Sequence, residues 1–434
     1  MLHTKSKWLA LLSLALATTG VALAQSADSQ ALIDALIKKG VLSDKEAKEI
    51  TAQISKAQAS QDVETSGDQY IKKLVLTGRF QTQYVGLGTS IDGNPVSPVS
   101  TEHFFLRRVY LGATAQFGDG LSGTMTYDFA NASFDKFLLE WKQSPMFVID
   151  AGLTKAPFGY EENQSSGDLR AIERSEVTRY FDEPNNGRRL GAASYRTGLF
   201  VSGTYDGFFY QAALTNPERN EYSGDGSNTA VLVNGLGGVG TTGGATTNTF
   251  AYYGVVGYGG SFGEGAMKGS YKVGYETGFL PDQGGNATLG LGHGQNIILN
   301  GGFGDLTVGG FRLVGEYEEA QVDSGVAVHH NANVNGYWIQ PSYKFTPQWE
   351  AVVQYSELNS GGRGVALSDV VRSAPSGGTM NKSNELYAGF NYYIKGNDVK
   401  LQAGYVHGES SNTVAGAPAK ATTDGLRSQF QIQF

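Results

Sequence analysis

The chain has 434 residues, a formal charge of −8, no cysteine, 60 glycines, 23 tyrosines and 22 phenylalanines. The lack of cysteine excludes a disulfide framework and cysteine-ligated metals, and the acidic balance argues against nucleic-acid binding. Beyond the first residues no stretch approaches the length of a spanning helix; a polar, aromatic-rich chain of this kind fits a membrane β-barrel, with an exported β-sandwich as the bland competitor.

Lys5 and Lys7 precede a short apolar run, and Ala22-Leu23-Ala24 fits a small-residue cleavage site. Residues 1–24 therefore read as a secretory signal peptide. Its removal takes two lysines and no acid, so −8 becomes −10. Residues 25–69 read as a helical arm and linker. Leu32, Ile33, Leu36 and Ile37 form one helical stripe, and Gly40 ends it. Ser43 and Glu46 make a capping box for a second helix bearing Ala47, Ile50, Ile54 and Ala57. Two short helices cannot bury such stripes alone. A small periplasmic hairpin or plug is the plain reading, and an oligomerisation or cell-wall-contacting element the sharper one.

From Tyr70 the period becomes two. Leu74, Leu76, Phe80 and Tyr84 alternate with Lys73, Thr77, Arg79, Gln81 and Gln83. Sixteen such strands are expected: 70–84, 103–117, 120–130, 133–143, 146–154, 189–203, 208–215, 249–262, 266–279, 294–303, 306–321, 333–345, 348–359, 383–395, 398–409 and 424–434. Tight turns at Gly118-Asp119-Gly120, Ser144-Pro145, Tyr205-Asp206-Gly207, Gly263-Glu264-Gly265, Gly304-Asp305, Thr346-Pro347 and Gly396-Asn397 alternate with mostly long connections. That alternation marks an up-and-down barrel with periplasmic turns and outer loops. Two loops, 234–248 and 281–294, are low in complexity. The fold class expected is all-β: a sixteen-stranded antiparallel transmembrane β-barrel over 70–434, with a short N-terminal helical periplasmic segment.

The last strand places Leu426, Phe430, Ile432 and Phe434 on one face and Arg427, Gln429, Gln431 and Gln433 on the other. A terminal phenylalanine there resembles the signature by which the barrel assembly machinery reads outer-membrane proteins. This strand must pair with the first, because an open edge in lipid leaves amides unpaired. Parity sends Arg79, Arg108, Arg312, Lys400 and Arg427 into the lumen.

Residues 155–189 break the pattern: 13 of the 35 are charged. The stretch reads as a loop folded inward to narrow the bore. It contains Lys155-Ala156-Pro157-Phe158-Gly159, Ile172-Glu173-Arg174-Ser175 and Asn186-Gly187-Arg188-Arg189-Leu190-Gly191. At these residues the chain resembles the phosphate-selective porin family (porins O and P). The resemblance implies a sixteen-stranded homotrimeric barrel in the Gram-negative outer membrane, its third outer loop in the pore, and it carries Lys155, Arg174 and Arg188 over by motif.

Guanidinium groups can replace the hydration of a phosphate or carboxylate edge. Lys155, Arg170, Arg174, Arg179, Arg188 and Arg189 are the candidate anion-binding residues of the constriction. Asp168, Glu173 and Glu176 are its principal acids, with Glu161, Glu162, Asp182 and Glu183 nearby. An opposite charge at about 4 Å is worth roughly 4 kcal/mol at an effective dielectric near 20. Glu173 and Arg174 can therefore be clamps fixing the loop to the wall. The function expected is passive diffusion of small hydrophilic solutes and ions, phosphate-like anions among them. A general porin with weak cation preference and a structural or adhesive barrel are the alternatives. No cofactor or metal is expected. His103, His293, His329, His330 and His407 lack the neighbours of a catalytic triad, so an enzyme is not expected.

Overall fold

The computed structural model describes residues 70–92, 99–183, 188–193, 195–216, 250–283, 295–323, 331–375, 379–412 and 420–434. The chain divides into two units, Met1–Tyr70 and Ile71–Phe434. The expected signal peptide, helical arm and both low-complexity loops lie outside the described residues, apart from a few residues at the loop margins. No described helix is long and apolar enough to cross a membrane.

The second unit is a closed barrel of sixteen antiparallel strands. In chain order they are β1 (Lys73–Ile91), β2 (Val99–Gly118), β3 (Leu121–Asp128), β4 (Ser133–Ser144), β5 (Phe147–Lys155), β6 (Tyr195–Tyr205), β7 (Phe208–Thr215), β8 (Ala251–Phe262), β9 (Gly269–Gln283), β10 (Gln295–Val308), β11 (Phe311–Asp323), β12 (Ala332–Lys344) and β13 (Trp349–Asn359), then β16 (Lys382–Lys395), β17 (Val399–Ser411) and β18 (Lys420–Gln433). Two short strands, β14 (Val365–Ala366) and β15 (Thr379–Met380), pair with each other in the connection between β13 and β16. Closure runs through β1 and β18, from Arg79 opposite Gln433 to Ile91 opposite Ala421. Gly78 and Phe434 exchange both backbone bonds, at 3.0 and 3.1 Å, so no edge is left open.

The two-residue period explains the outer face. Phe80, Leu401, Tyr405, Leu426, Phe430, Ile432 and Phe434 are exposed on it, as are Phe104, Trp141, Tyr343, Phe345 and Trp349. The largest departures from the expected boundaries are three. Gly304 and Asp305 are not a turn; they lie within β10, opposite Gly315 and Val314. The turn is at Gly309 and Gly310, where Gly309 takes φ 55° and a side chain would be strained. The strand expected from residue 189 begins at Tyr195, because Leu190 and Ala192 donate their amides to Tyr180 and Phe181 of the loop, at 2.9 and 2.6 Å. The first strand runs seven residues past its expected end, to Ile91.

The inner wall is not uniformly wet. Val85, Leu87, Leu280, Leu299, Val322, Val334 and Val406 point inward and are buried. They pack against two infolded connections. One spans the described residues 156–183 and 188–193, with helical turns α1 (Tyr160–Asn163) and α2 (Glu176–Asp182). The other spans the described residues 360–375 and 379–381, with α3 (Leu367–Val370), which sequence reading treats as an ordinary outer loop. Phe158, Ile172, Val177, Tyr180, Phe181 and Leu190 of the first share one apolar cluster with Val365, Leu367, Val370 and Val371 of the second. The barrel thus has a hydrophobic core inside its bore, stabilised at roughly 25 cal/mol per Å² of apolar surface removed from water.

Candidate functional site

The first infolded loop is held by its backbone as much as by its side chains. Inward side chains of β1, β16, β17 and β18 reach across to its carbonyls. Gln81 and Gln431 donate to Ser166 and Gly167, Lys400 to Leu169, and Gln402 and Asn391 to Arg170, at 2.8–3.1 Å. The glutamine face of β1 and β18 therefore grips the loop rather than lining open water. Ser175 caps α2 by accepting from the amide of Thr178 at 3.2 Å. Glu161 is a buried carboxylate with full satisfaction: it takes the Ser175 amide, the Thr178 hydroxyl and the Gln354 amide, at 2.9, 2.7 and 2.7 Å.

Packed this way, the loop leaves a passage of about 900 Å³ on one side of the bore. Its walls come from β1 to β6, the edge of the loop and Arg372 of the second loop. Eight cationic side chains line it: Arg79, Arg107, Arg108, Lys136, Lys155, Arg174, Arg189 and Arg372. Five carboxylate side chains share it: Asp128, Asp135, Glu162, Glu183 and Asp398. The local balance is positive in a chain that is negative overall.

Four of these charges, Arg107, Arg372, Glu183 and Arg189, are joined in one chain of ion pairs. Arg107 holds Glu173 with two bonds, at 2.7 and 3.0 Å. Arg372 takes the other side of Glu173 at 2.9 Å and also binds Glu183. Arg189 joins Glu183 to Asp369, at 2.8 and 3.0 Å, and Arg188 reaches Asp369 at 2.9 Å. Wall, first loop and second loop are tied by alternating charge. Burial alone pushes the Glu183 carboxyl up, but Arg372 and Arg189 outweigh it and hold it at about 2. Glu173 is likewise held well below the usual range, Arg107 and Arg372 overcoming its burial.

Arg107 and Arg108 are neighbours in one strand, yet both turn inward. The β1–β2 register shifts between Gln81 and Thr82, with Gln81 opposite Arg108 and Thr82 opposite Leu106. That bulge leaves Arg107 unpaired and re-aims it. Arg108 donates to Gln81 Oε1 at 2.7 Å and forms no ion pair among the described residues. It is 4% exposed, with Arg107 and Arg174 among its charged neighbours.

The expected constriction residues separate. Lys155, Arg174 and Arg189 line the passage. Lys155 and Arg174 both bind Glu162, at 2.8 and 3.1 Å, and Arg174 also donates to the carbonyls of Glu161, Glu162 and Gln164. Arg170 instead pairs with Glu350 at 3.1 Å on the far wall. Arg179 is 1% exposed and buried against Val370 and Glu385, and Arg188 pairs outside the passage lining. Glu176 is buried against Ser356 and Ser383, Glu173 sits in the ion-pair chain, and Asp168 accepts from Asn397 at 2.9 Å. Of the inward wall cations, Arg79 binds Ser165 and Ser166, Arg312 pairs with Asp305, and Lys400 and Arg427 are covered by the loops, Arg427 donating to the Arg372 carbonyl. Lys400 and Arg427 therefore do not face open water, because infolded backbone covers them. Arg107, Asp369 and Arg372 were not singled out by sequence. The Arg107-Arg108 doublet was the available signal, since strict alternation would send one guanidinium to lipid.

Among the described residues no group of three or more acidic or histidine side chains is arranged for a metal. No curated relative matches the chain. Among solved structures it is similar to the anion-selective porin from Comamonas acidovorans, at 11% identity and TM-score 0.53, over 83% of this chain and 99% of that one. It is also similar to the outer membrane channel DcaP of Acinetobacter baumannii, at 14% identity and TM-score 0.49, over 83% of this chain and 97% of that one. A family model described as phosphate-selective porin O and P matches residues 76–434, nearly the whole barrel, so the chain belongs to that family and is an outer-membrane porin.

Proposed function

We propose that this porin passes small hydrophilic solutes with a preference for anions, phosphate-like ones included, and that Arg108 is the residue that sets the preference. The observation that carries this reading is the placement of Arg108. It is a buried guanidinium on the passage, in no ion pair among the described residues, with Arg107 and Arg174 as well as Glu173 among its charged neighbours. Glu173 is already held by Arg107 and Arg372, so Arg108 remains the guanidinium with most attraction left for a passing anion. Lys155 at the end of β5 and Arg174 and Arg189 of the loop support it, although each shares a carboxylate.

Reversal potentials across a salt gradient test this reading. Wild-type protein shows anion preference, and Arg108→Ala shifts the potential toward cations. Phosphate at millimolar concentration reduces chloride current in the wild type and less in the variant. An unchanged potential in Arg108→Ala contradicts the assignment; absence of phosphate block rejects phosphate binding while leaving anion preference standing.

The working unit proposed is a homotrimer, with residues 25–69 as a periplasmic arm. What supports association is the short wall. β3 and β5 have 8 and 9 residues, at or below the length a tilted strand needs to cross the hydrocarbon layer. Their surroundings expose Phe104, Met125, Phe137 and Leu139. Heat-dependent mobility on gels, before and after Leu139→Lys, reads the oligomer directly.

A further inference from the structure

Behind the loop, away from the passage lining, four carboxyl groups meet. Asp182 ends α2. It is fully buried, and neither of its oxygens has a hydrogen-bond partner. Facing it from the wall are Glu276 of β9 and Glu316 and Glu318 of β11, all at least nine-tenths buried. Glu318 also has both oxygens unpartnered, and Glu276 has one. Glu316 is anchored: it accepts from the amides of Tyr160 and Glu161 and from the Trp338 indole N–H, the last two at 3.0 Å. Glu276 and Glu316 lie within hydrogen-bonding reach of each other. Two carboxyls bond only when one of them carries a proton.

The surrounding charges do not neutralise the group. Glu161 and Glu162 face it from α1 and its neighbourhood, adding negative charge. Lys155 of β5 and Arg174 of the loop are the nearby cations, and both are bound to Glu162. None of the four carboxyls forms an ion pair among the described residues. Ionised, they would be desolvated and would repel one another, and a buried carboxyl in that position takes a proton instead.

We infer that the constriction loop is latched to the inner wall by protons shared among Asp182, Glu276, Glu316 and Glu318, and that alkaline pH releases the latch. One carboxyl is on the loop and three are on the wall, so ionisation drives the two apart. The next residue, Glu183, already lines the passage, so a released α2 moves into the conducting space. Burial, reinforced by Glu162 and Glu316 and opposed by Arg174 and Lys155, holds the Asp182 carboxyl well above its ordinary range. Relative to a released, solvated carboxyl, the latch is therefore fully present below the ordinary carboxylate range and is lost as pH rises through the raised value. This inference stands on its own, independent of which ion the passage prefers.

The test is the conductance of the full protein in planar bilayers as pH is raised. Wild type should show a reversible fall of roughly twofold as pH is raised above neutral, with a red shift of Trp338 emission as the loop leaves it. The neutral isosteres Asp182→Asn and Glu318→Gln together should keep the neutral-pH conductance throughout. Each single variant should move the fall to higher pH, which preserves the test if the double variant does not insert. A flat wild-type profile overturns the latch, as does an equal fall in the single variants. Loss of conductance on chelator addition at neutral pH, restored by calcium, also overturns it, because a cation would then hold the carboxylates.

Discussion

Arg107 and Glu173 meet through two hydrogen bonds, and Arg372 takes the same carboxylate from the opposite side. Glu173 therefore keeps a partner when either arginine is lost. Breaking a buried pair outright costs about 3–5 kcal/mol, so Arg107→Ala should cost less, on the order of 2 kcal/mol, and be seen as noisier current rather than loss of the channel. Glu173→Gln removes the anion between two guanidiniums and should cost more; urea unfolding in detergent ranks the two. The acid side follows with its sign. The Glu173 and Glu183 carboxyls are depressed in the folded protein. Their contribution is present above the ordinary value of roughly 4.3 and, for Glu183, is lost only as pH falls through about 2. Selectivity should therefore hold from pH 7 to pH 4, and a collapse near pH 5 would contradict the ion-pair chain. At this scale the sequence was only partly readable. It exposed the charges of 155–189 but not their partners, because Asp369 and Arg372 arrive from a loop 180 to 200 residues further along the chain. The bulge that turns Arg107 inward leaves no mark beyond the arginine doublet itself.

The two infolded loops are a single packed element in energetic terms. Tyr180 is fully buried, and its hydroxyl donates to the Gly364 carbonyl at 2.8 Å, joining α2 to the second loop. Tyr180→Ala leaves a cavity and an unpaired carbonyl. A loss of about 3–5 kcal/mol is expected for a buried aromatic truncation, placed in loop docking because the strand ladders are untouched. Conductance should become smaller and unsteady, as α2 is freed toward the passage, while the barrel still forms. Unchanged single-channel current would show that the loops are held without this contact. The infolding of 155–189 was legible from its charge density and its departure from the strand period. The infolding of 360–381 was not. Val365, Leu367, Val370 and Val371 form an apolar run in an apparent outer loop, and its meaning appears only when the apolar inner faces of β11, β12 and β17 are seen opposite it. Gly304-Asp305 misled for a related reason. Turn-forming residues also suit a strand when a bore-facing aspartate has an arginine, here Arg312, to bind.

The second unit, Ile71–Phe434, is a lipid-compatible cylinder whose interior is divided. One side is packed with loops, and the other is a positively biased passage. Strand period, turn chemistry and the terminal strand were enough to anticipate sixteen strands and their closure, since alternation is repeated along every strand and the seam must be sealed. Closure predicts that removing Phe434, which exchanges two backbone bonds with Gly78, lowers the yield of folded barrel in the outer membrane, measured by heat-modifiable migration. What period and turns do not encode is the division of the bore, which depends on contacts between distant segments. The most direct measurement of the central claim is the reversal potential of wild type and Arg108→Ala side by side in a salt gradient. Anion preference in the wild type that weakens in the variant is the result the account predicts. Cation preference in both, with no difference between them, would contradict it.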